Sequence, residues 1–132
     1  MFLHDLKQIR FAHAIRTRNA KKIMAYIEQG LNVNTNDGGC YVFESLFLSK
    51  RPYALMALEL LLNHPKWNPN YRTVDTFHPE ERAMLHRKED IALRIIQHPN
   101  FDKEAYPRVV QAAKRFKAKT VLKFLRDKEH IC

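Results

Sequence analysis

Histidine and cysteine are the residue types that metal chemistry would use first, and their spacing decides whether a metal site is expected. Seven histidines and two cysteines occur, but there is no His-x-x-x-His or Cys-x-x-Cys pair. His64 and His98 each lie shortly after an apolar stretch and directly before a proline. A histidine at the C-terminal end of a helix stabilises that end, so we expect these two to be helix caps at matching positions. The sequence predicts neither a metal site nor a cofactor.

Carboxylates are the next candidates, because general acid–base catalysis needs ionisable groups that face the reacting atoms. Glu80 and Glu81 are adjacent, as are Glu89 and Asp90, and adjacent residues on a helix do not face each other. No serine is framed by the glycines of a nucleophile elbow, and no phosphate-binding loop or dinucleotide fingerprint occurs. We therefore expect a protein that is not an enzyme.

The charge distribution predicts the kind of partner. The net charge is +9 at pH 7. Residues 1–22 and 103–132 carry net charges of +5 and +6, whereas residues 23–102 carry −2. A basic excess of this kind favours acidic partners, which include acidic proteins, nucleic acids and anionic surfaces.

The N-terminal residues and the longest apolar stretch indicate the compartment. Asp5 and Lys7 interrupt the start of the chain, so we expect no signal peptide. The longest apolar stretch, residues 53–62, is about half of what a bilayer requires. Because two cysteines cannot form a disulfide scaffold, a reducing compartment is favoured. We expect a cytoplasmic protein with no membrane partner.

The elements that must position these residues are helices. Apolar residues recur at intervals of three and four, which is the period of an amphipathic helix. The apolar stripes cover residues 3–12, 23–27, 55–62, 91–96, 109–113 and 121–125. The sequence therefore predicts an all-α chain of short helices, most of them about 8–14 residues long.

Three breaks between these helices share one pattern. Val33, Trp67 and Phe101 follow the breaks at two equal intervals, each with Asn or Asp directly after it. Gly30 can take the left-handed conformation that ends a helix, and a proline stops the helix at the other two breaks. Paired helices with a fixed period, in the range of roughly 20–50 residues, are typical of helical-repeat proteins.

These residues resemble the ankyrin repeat. The closest stretch is Phe11–Asn34, whose ending, Gly30-Leu31-Asn32-Val33-Asn34, is similar to the Gly-Ala-Asp-Val-Asn ending of that family. Residues 43–70 and 77–102 resemble degenerate copies, and residues 112–125 resemble a closing copy. The Thr-Pro-Leu-His start of the repeat is missing, and Thr76-Phe77-His78-Pro79 is only distantly similar to it.

The resemblance implies one helical-repeat domain over residues 1–132. It would hold about three to four units of paired antiparallel helices joined by short turns. It also implies protein binding through the turns and the first helices, and no shared chemistry. A different array of helix pairs, or a compact helical bundle, is the alternative fold.

The alignment places a set of mostly basic residues on one concave face and on the turns, where they would bind an acidic protein. These residues are Arg16, Lys50, Arg51, Arg72, Asp75, Arg82, His86, Lys114 and Arg115. The alternative is a solvated helix surface, because lysine and arginine are good helix formers. Tyr41, Tyr71 and Tyr106 are either contact residues of the turns or part of the core.

The resulting hypothesis is a non-catalytic interaction protein. Small solitary proteins that resemble ankyrin occur among bacteriophage and intracellular-bacterium products, which implies an inhibitor or adaptor of a host or defence protein. The alternative is a basic nucleic-acid-binding helical protein, because the run Lys114–Lys119 could contact phosphates by charge alone. Phe116 and Phe124 are the only aromatic residues near that run, and their spacing fits core packing better than base stacking.

Overall fold

Helices make up all of the regular structure that the computed structural model describes, over residues 2–34, 40–47, 49–50, 52–71 and 77–131. In chain order they are α1 (Phe2–Arg16), α2 (Ala20–Glu28), α3 (Cys40–Phe47), α4 (Pro52–Leu62), α5 (Pro79–Leu85), α6 (Glu89–Ile96), α7 (Tyr106–Arg115) and α8 (Lys119–Ile131), with a short 3-10 helix at Lys103–Ala105. The prediction of an all-α chain is confirmed. Within these ranges no helix combines the length and the apolar character that a membrane span needs.

The internal contacts are concentrated in two compact units, Met1–Tyr71 and Arg72–Cys132. In the first unit α1 packs against α2 and α3 packs against α4, while α1 also contacts α3 and α2 contacts α4. In the second unit α5 packs against α6 and α7 against α8, with further contacts of α5 with α7 and of α6 with α8. Each unit therefore holds two helix pairs that pack against each other.

An aromatic cluster forms the core of the first unit. The ring of Phe43 stacks on Trp67 at a centroid distance of 5.8 Å and on Phe47 at 5.1 Å. Tyr71 packs edge-on against Trp67 at 6.3 Å and is 7% exposed. Large aromatic side chains bury more apolar area than other residues, so this cluster holds α3 and the segment after α4 together. For Tyr71 the core interpretation is confirmed.

The break residues behave as their sequence pattern predicts. Val33, Trp67 and Phe101 are all buried, at 1%, 0% and 4% exposure. Gly30 has a φ of +84°, in the left-handed region that glycine adopts without a steric cost. The apolar residue after each break therefore anchors the connection to its core.

Asparagine and aspartate close the connections after the breaks. The side-chain oxygen of Asn68 accepts a hydrogen bond from the N–H of Asn70 at 2.9 Å, and Asp102 accepts from Glu104 at 3.0 Å. In the first connection this role belongs to Asn32, which accepts from the N–H of Asn34 at 3.0 Å. A side-chain oxygen that accepts the N–H two residues later forms an Asx-turn.

Asn34 instead joins two connections of the first unit. Its Nδ2 donates to the carbonyl oxygen of Lys66 at 2.7 Å, and its Oδ1 accepts from the N–H of Asn68 at 2.8 Å. Both polar atoms of one amide are thus used to join backbone segments that are distant in the sequence.

Three helix pairs are closed by the same turn, and its left-handed residue is a cation each time. Arg18, Arg87 and Lys117 have φ values of 54°, 62° and 56°. Each donates its N–H to the carbonyl three residues earlier, and the following residue donates to the carbonyl five residues before it. This is the Schellman arrangement, which usually has a glycine at the left-handed position.

Two side chains at the starts of helices stabilise the second unit. Helix α5 begins at Pro79, a favoured first helical residue, and the N–H of His78 donates to Oε1 of Glu81 at 2.8 Å. Oε1 of Glu89, in the first turn of α6, accepts from the N–H of Thr120 at 2.9 Å. This bond caps the start of α8 from the neighbouring helix pair.

Candidate functional site

The predicted partner-binding residues lie in both units. Arg51, Arg72 and Asp75 fall outside the described residues, so their roles stay predictions. Those that are described and exposed are Arg16 and Lys50 of the first unit, and His86, Lys114 and Arg115 of the second. Arg82 is half-buried on α5. His86 follows the end of α5, and Lys114 and Arg115 form the last turn of α7, which packs against α5.

A groove in the first unit brings Arg16 together with residues that sequence reasoning assigned to the core or passed over. It has a volume of about 440 Å³ and lies along α1 and α2. Its main lining residues are Ile9, Arg10, His13, Arg16, Lys22 and Tyr26, and we name them the first-pair groove. The described residues that line it include no acid.

Ile9 is the unusual member of this groove, since 63% of it is exposed. Its position follows from helical geometry. The buried face of α1 is formed by Phe11, Ala14 and Ile15, and a shift of two residues turns a helix by about 200°. Ile9 therefore lies opposite that face, although the predicted apolar stripe of this helix included it.

Tyr26 provides the aromatic part of the groove. Its ring contacts the fully buried Phe11 at a centroid distance of 5.8 Å and is itself half-buried. A neighbouring pocket of about 250 Å³ adds Tyr53, over whose ring the Lys21 ammonium lies at 5.5 Å. The two sites share Thr17 and Asn19, so they form one continuous surface around the turn between α1 and α2.

A buried ionic cluster connects α5 and α7 in the second unit. Oε1 of Glu80 lies 2.7 Å from Nη1 of Arg108, and Oε1 of Glu81 lies 3.3 Å from the same atom. Glu80 is fully buried, and this burial raises the pKa of its carboxyl to about 7, although the charge of Arg108 opposes the shift. The expectation that these adjacent acids point apart is wrong, because both contact one arginine and bring carboxylate oxygens within 4.8 Å of each other.

The same cluster contains donors that a metal ion could use. Ligand atoms of His78, Glu80 and Glu81 lie within 4.8 Å of one another. The guanidinium of Arg108 already contacts both carboxylates, however, and it would repel a divalent cation. Because Arg108 is supplied by the helix that packs against α5, we assign this cluster to the packing of α5 and α7.

His64 and His98 each accept a hydrogen bond from the connection that follows them. Nδ1 of His64 accepts from the N–H of Lys66, and Nδ1 of His98 accepts from the N–H of Asn100, both at 3.1 Å. Their predicted position at matching helix ends is confirmed, and in both the Nδ1 atom accepts a hydrogen bond from the loop. Tyr106 is half-buried and stacks on Phe101 at 6.2 Å, whereas the Tyr41 side chain lies outside the described residues.

Compared with protein-family models, with curated proteins and with solved structures, the chain gives no match. The resemblance to the ankyrin repeat therefore stays a prediction from the sequence.

Proposed function

We propose that this protein is a non-catalytic interaction module of ankyrin-like helix pairs that binds an acidic surface of a partner protein. The first-pair groove is the contact surface. Binding of this kind acts by masking or tethering the partner.

The recurrent geometry of the helix pairs supports the repeat part of this proposal. Arg18, Arg87 and Lys117 close their turns with the same two hydrogen bonds. The Asx-turns of Asn68 and Asp102 occupy matching positions, since each directly follows a buried aromatic residue. Matched turns with matched spacing are what a repeated supersecondary unit produces.

The composition of the first-pair groove is the observation that carries the binding proposal. Ile9 and Tyr26 supply apolar and aromatic surface, while Arg10, Arg16 and Lys22 surround it with positive charge. Tyrosine and arginine are enriched where protein interfaces gain their binding energy. A single exposed isoleucine is ordinary, so it is the combination of Ile9 with a tyrosine and three cations in one groove that supports binding.

The test is affinity capture from nuclease-treated lysate at moderate salt, with matched variants. Ile9→Asp adds an acid to the groove, and Leu55→Asp makes the same change at a residue of similar exposure, 65%, on α4. We expect Ile9→Asp to lose the captured protein and Leu55→Asp to retain it, with the circular dichroism of both unchanged. Equal capture by wild type and Ile9→Asp would disprove the role of the groove.

A further inference from the structure

Within the described ranges, four helices end in the same hydrogen-bond pattern. The residue in the left-handed conformation is a glycine at one of these ends and a cation at the other three. After α2 the left-handed residue is Gly30, whose N–H donates to Ile27 while the N–H of Leu31 donates to Tyr26. At the turns inside the helix pairs, the same position is Arg18, Arg87 or Lys117. Side chains with a Cβ are strained in the left-handed region, so glycine is the less costly choice at all four.

Helix electrostatics alone do not explain these cations. A positive charge near a helix C-terminus is favourable, but the last helical turn provides that interaction without backbone strain. Lys114 and Arg115 already occupy the last turn of α7, ahead of the strained Lys117. In α5 the last turn contains Arg82, ahead of the strained Arg87. The cations at the left-handed positions therefore add to the positive charge that the last helical turns already carry. They lie where glycine would be the more stable residue.

In the second unit the two strained cations lie on neighbouring turns. The Glu89–Thr120 hydrogen bond of 2.9 Å joins the residues that closely follow these turns, and α5 packs against α7. Segments 86–90 and 114–120 contain six lysines and arginines against two acids, one of which is Glu89. We name these six cations the basic turn edge: Arg87, Lys88, Lys114, Arg115, Lys117 and Lys119. All but Lys88, which is half-buried, are exposed.

We propose that the basic turn edge binds the sugar-phosphate backbone of double-stranded nucleic acid. This surface is distinct from the first-pair groove, and its residues differ in type. Four of the six cations are lysines, which are depleted in protein interfaces and which contact phosphates as point charges. A row of phosphates repeats its charge at short intervals and matches cations spread over two adjacent turns.

The contacts of Phe116 within the protein favour duplex over single-stranded nucleic acid as the ligand of this surface. Phe116 is half-buried, with the Arg115 guanidinium 5.2 Å from its ring centroid and the ring of Phe77 at 6.3 Å. Its ring is thus engaged within the protein, whereas single-strand binding relies on rings on which bases stack. The start of α8 is also engaged, because Glu89 accepts the N–H of Thr120. The phosphates would therefore be held by side-chain charge.

The experiment uses the full chain and a labelled DNA duplex of about 20 base pairs, with binding followed by anisotropy over a series of salt concentrations. The variants are Arg87→Gly, Lys117→Gly and their combination, and Lys103→Ala is the control. Lys103 is an exposed lysine of the same unit, beyond the other end of α6. The affinity of the wild type should fall as salt rises, so log K against log salt has a negative slope. Each glycine variant should reduce the magnitude of this slope by about 1, because one phosphate contact is lost.

The glycine variants should also be more stable than the wild type, which separates a binding loss from misfolding. We expect each to raise Tm by about 3 °C, because the backbone strain is relieved. Arg87→Lys should retain the wild-type slope. A double variant that gains stability and keeps the wild-type slope would overturn the proposal, as would an equal loss of slope in Lys103→Ala. A labelled polyglutamate peptide that binds as tightly as the duplex would overturn the nucleic-acid assignment in favour of an acidic protein.

Discussion

Glu80 and Arg108 form an ion pair whose two ends differ in environment. The carboxylate of Glu80 is fully buried, while 33% of the Arg108 side chain reaches solvent, and Oε1 and Nη1 lie 2.7 Å apart. Burial opposes ionisation of Glu80 more strongly than the arginine favours it, so the pKa of this carboxyl rises to about 7. The pair therefore couples the packing of α5 and α7 to pH.

The stability of the protein should include a component that falls as pH rises from about 4.5 to about 7. Between these values the folded state binds more protons at Glu80 than the unfolded state, so raising the pH favours unfolding. A shift of this size corresponds to about 3 kcal/mol of unfolding free energy. Urea unfolding at a series of pH values should show this component in wild type and not in Glu80→Gln.

Arg108→Ala is the companion variant for that measurement. This variant leaves Glu80 buried without its ion-pair partner. When the carboxylate is ionised, the free energy of unfolding should fall by about 3–5 kcal/mol. We expect the loss to be larger at pH 8 than at pH 5. A loss independent of pH would mean that Glu80 does not titrate in this range.

Replacing Asn34 should destabilise the first unit more than replacing Asn68. Asn34→Ala removes two hydrogen bonds between connections and should lower the free energy of unfolding by about 1–3 kcal/mol. Asn68→Ala removes only one local hydrogen bond, which the Asn68 side chain accepts. Asn34→Asp keeps the acceptor but places a carboxylate oxygen where Nδ2 donates to the Lys66 carbonyl at 2.7 Å, so it should be no more stable than Asn34→Ala. Chemical denaturation of the three variants measures this order, and equal losses for Asn34→Ala and Asn68→Ala would contradict it.

Arg18 and Gly30 should respond in opposite directions to substitution. Arg18→Gly relieves a left-handed arginine and should stabilise the protein by about 1 kcal/mol. Gly30→Ala should destabilise it by a similar amount, from backbone strain alone, because no described atom lies within 4 Å of the added Cβ. Thermal unfolding of both variants provides the comparison, and a shift in the same direction would show that the left-handed positions are not equivalent.

Trp67 should be the most costly single residue to truncate in the first unit. Its side chain is fully buried against Phe43, so Trp67→Ala should lower the free energy of unfolding by about 3–5 kcal/mol. Trp67→Phe retains the stacking and should lose clearly less. Differential scanning calorimetry measures both, and similar losses would mean that the cluster tolerates a cavity at this position.

The sequence predicted the helices and their breaks because those signals are local. The period of three and four, Gly30 and the two prolines each act within a few residues. The exposure of Ile9 was also predictable, since the angle between Ile9 and Phe11 follows from helix geometry alone.

The buried ion pair and the strained turns were not predictable in this way. The burial of Glu80 depends on Arg108, which belongs to another helix far along the chain, and no local pattern marks a carboxylate as internal. A glycine would have marked the left-handed turns, but the chain has Arg18, Arg87 and Lys117 there. The residues predicted for the concave face divide between two units, and no local signal sets how such surfaces combine.

The amide of Asn34 also constrains the length of the connection that contains Lys66 and Asn68. Its donor and its acceptor reach backbone atoms of Lys66 and Asn68, so the amide fits only one spacing between these two backbone groups. A substitution at Lys66 or Asn68 leaves that spacing unchanged because both partners are backbone atoms, whereas an insertion between them shifts one of the two out of reach. This part of the connection therefore tolerates changes of side chain more readily than changes of length.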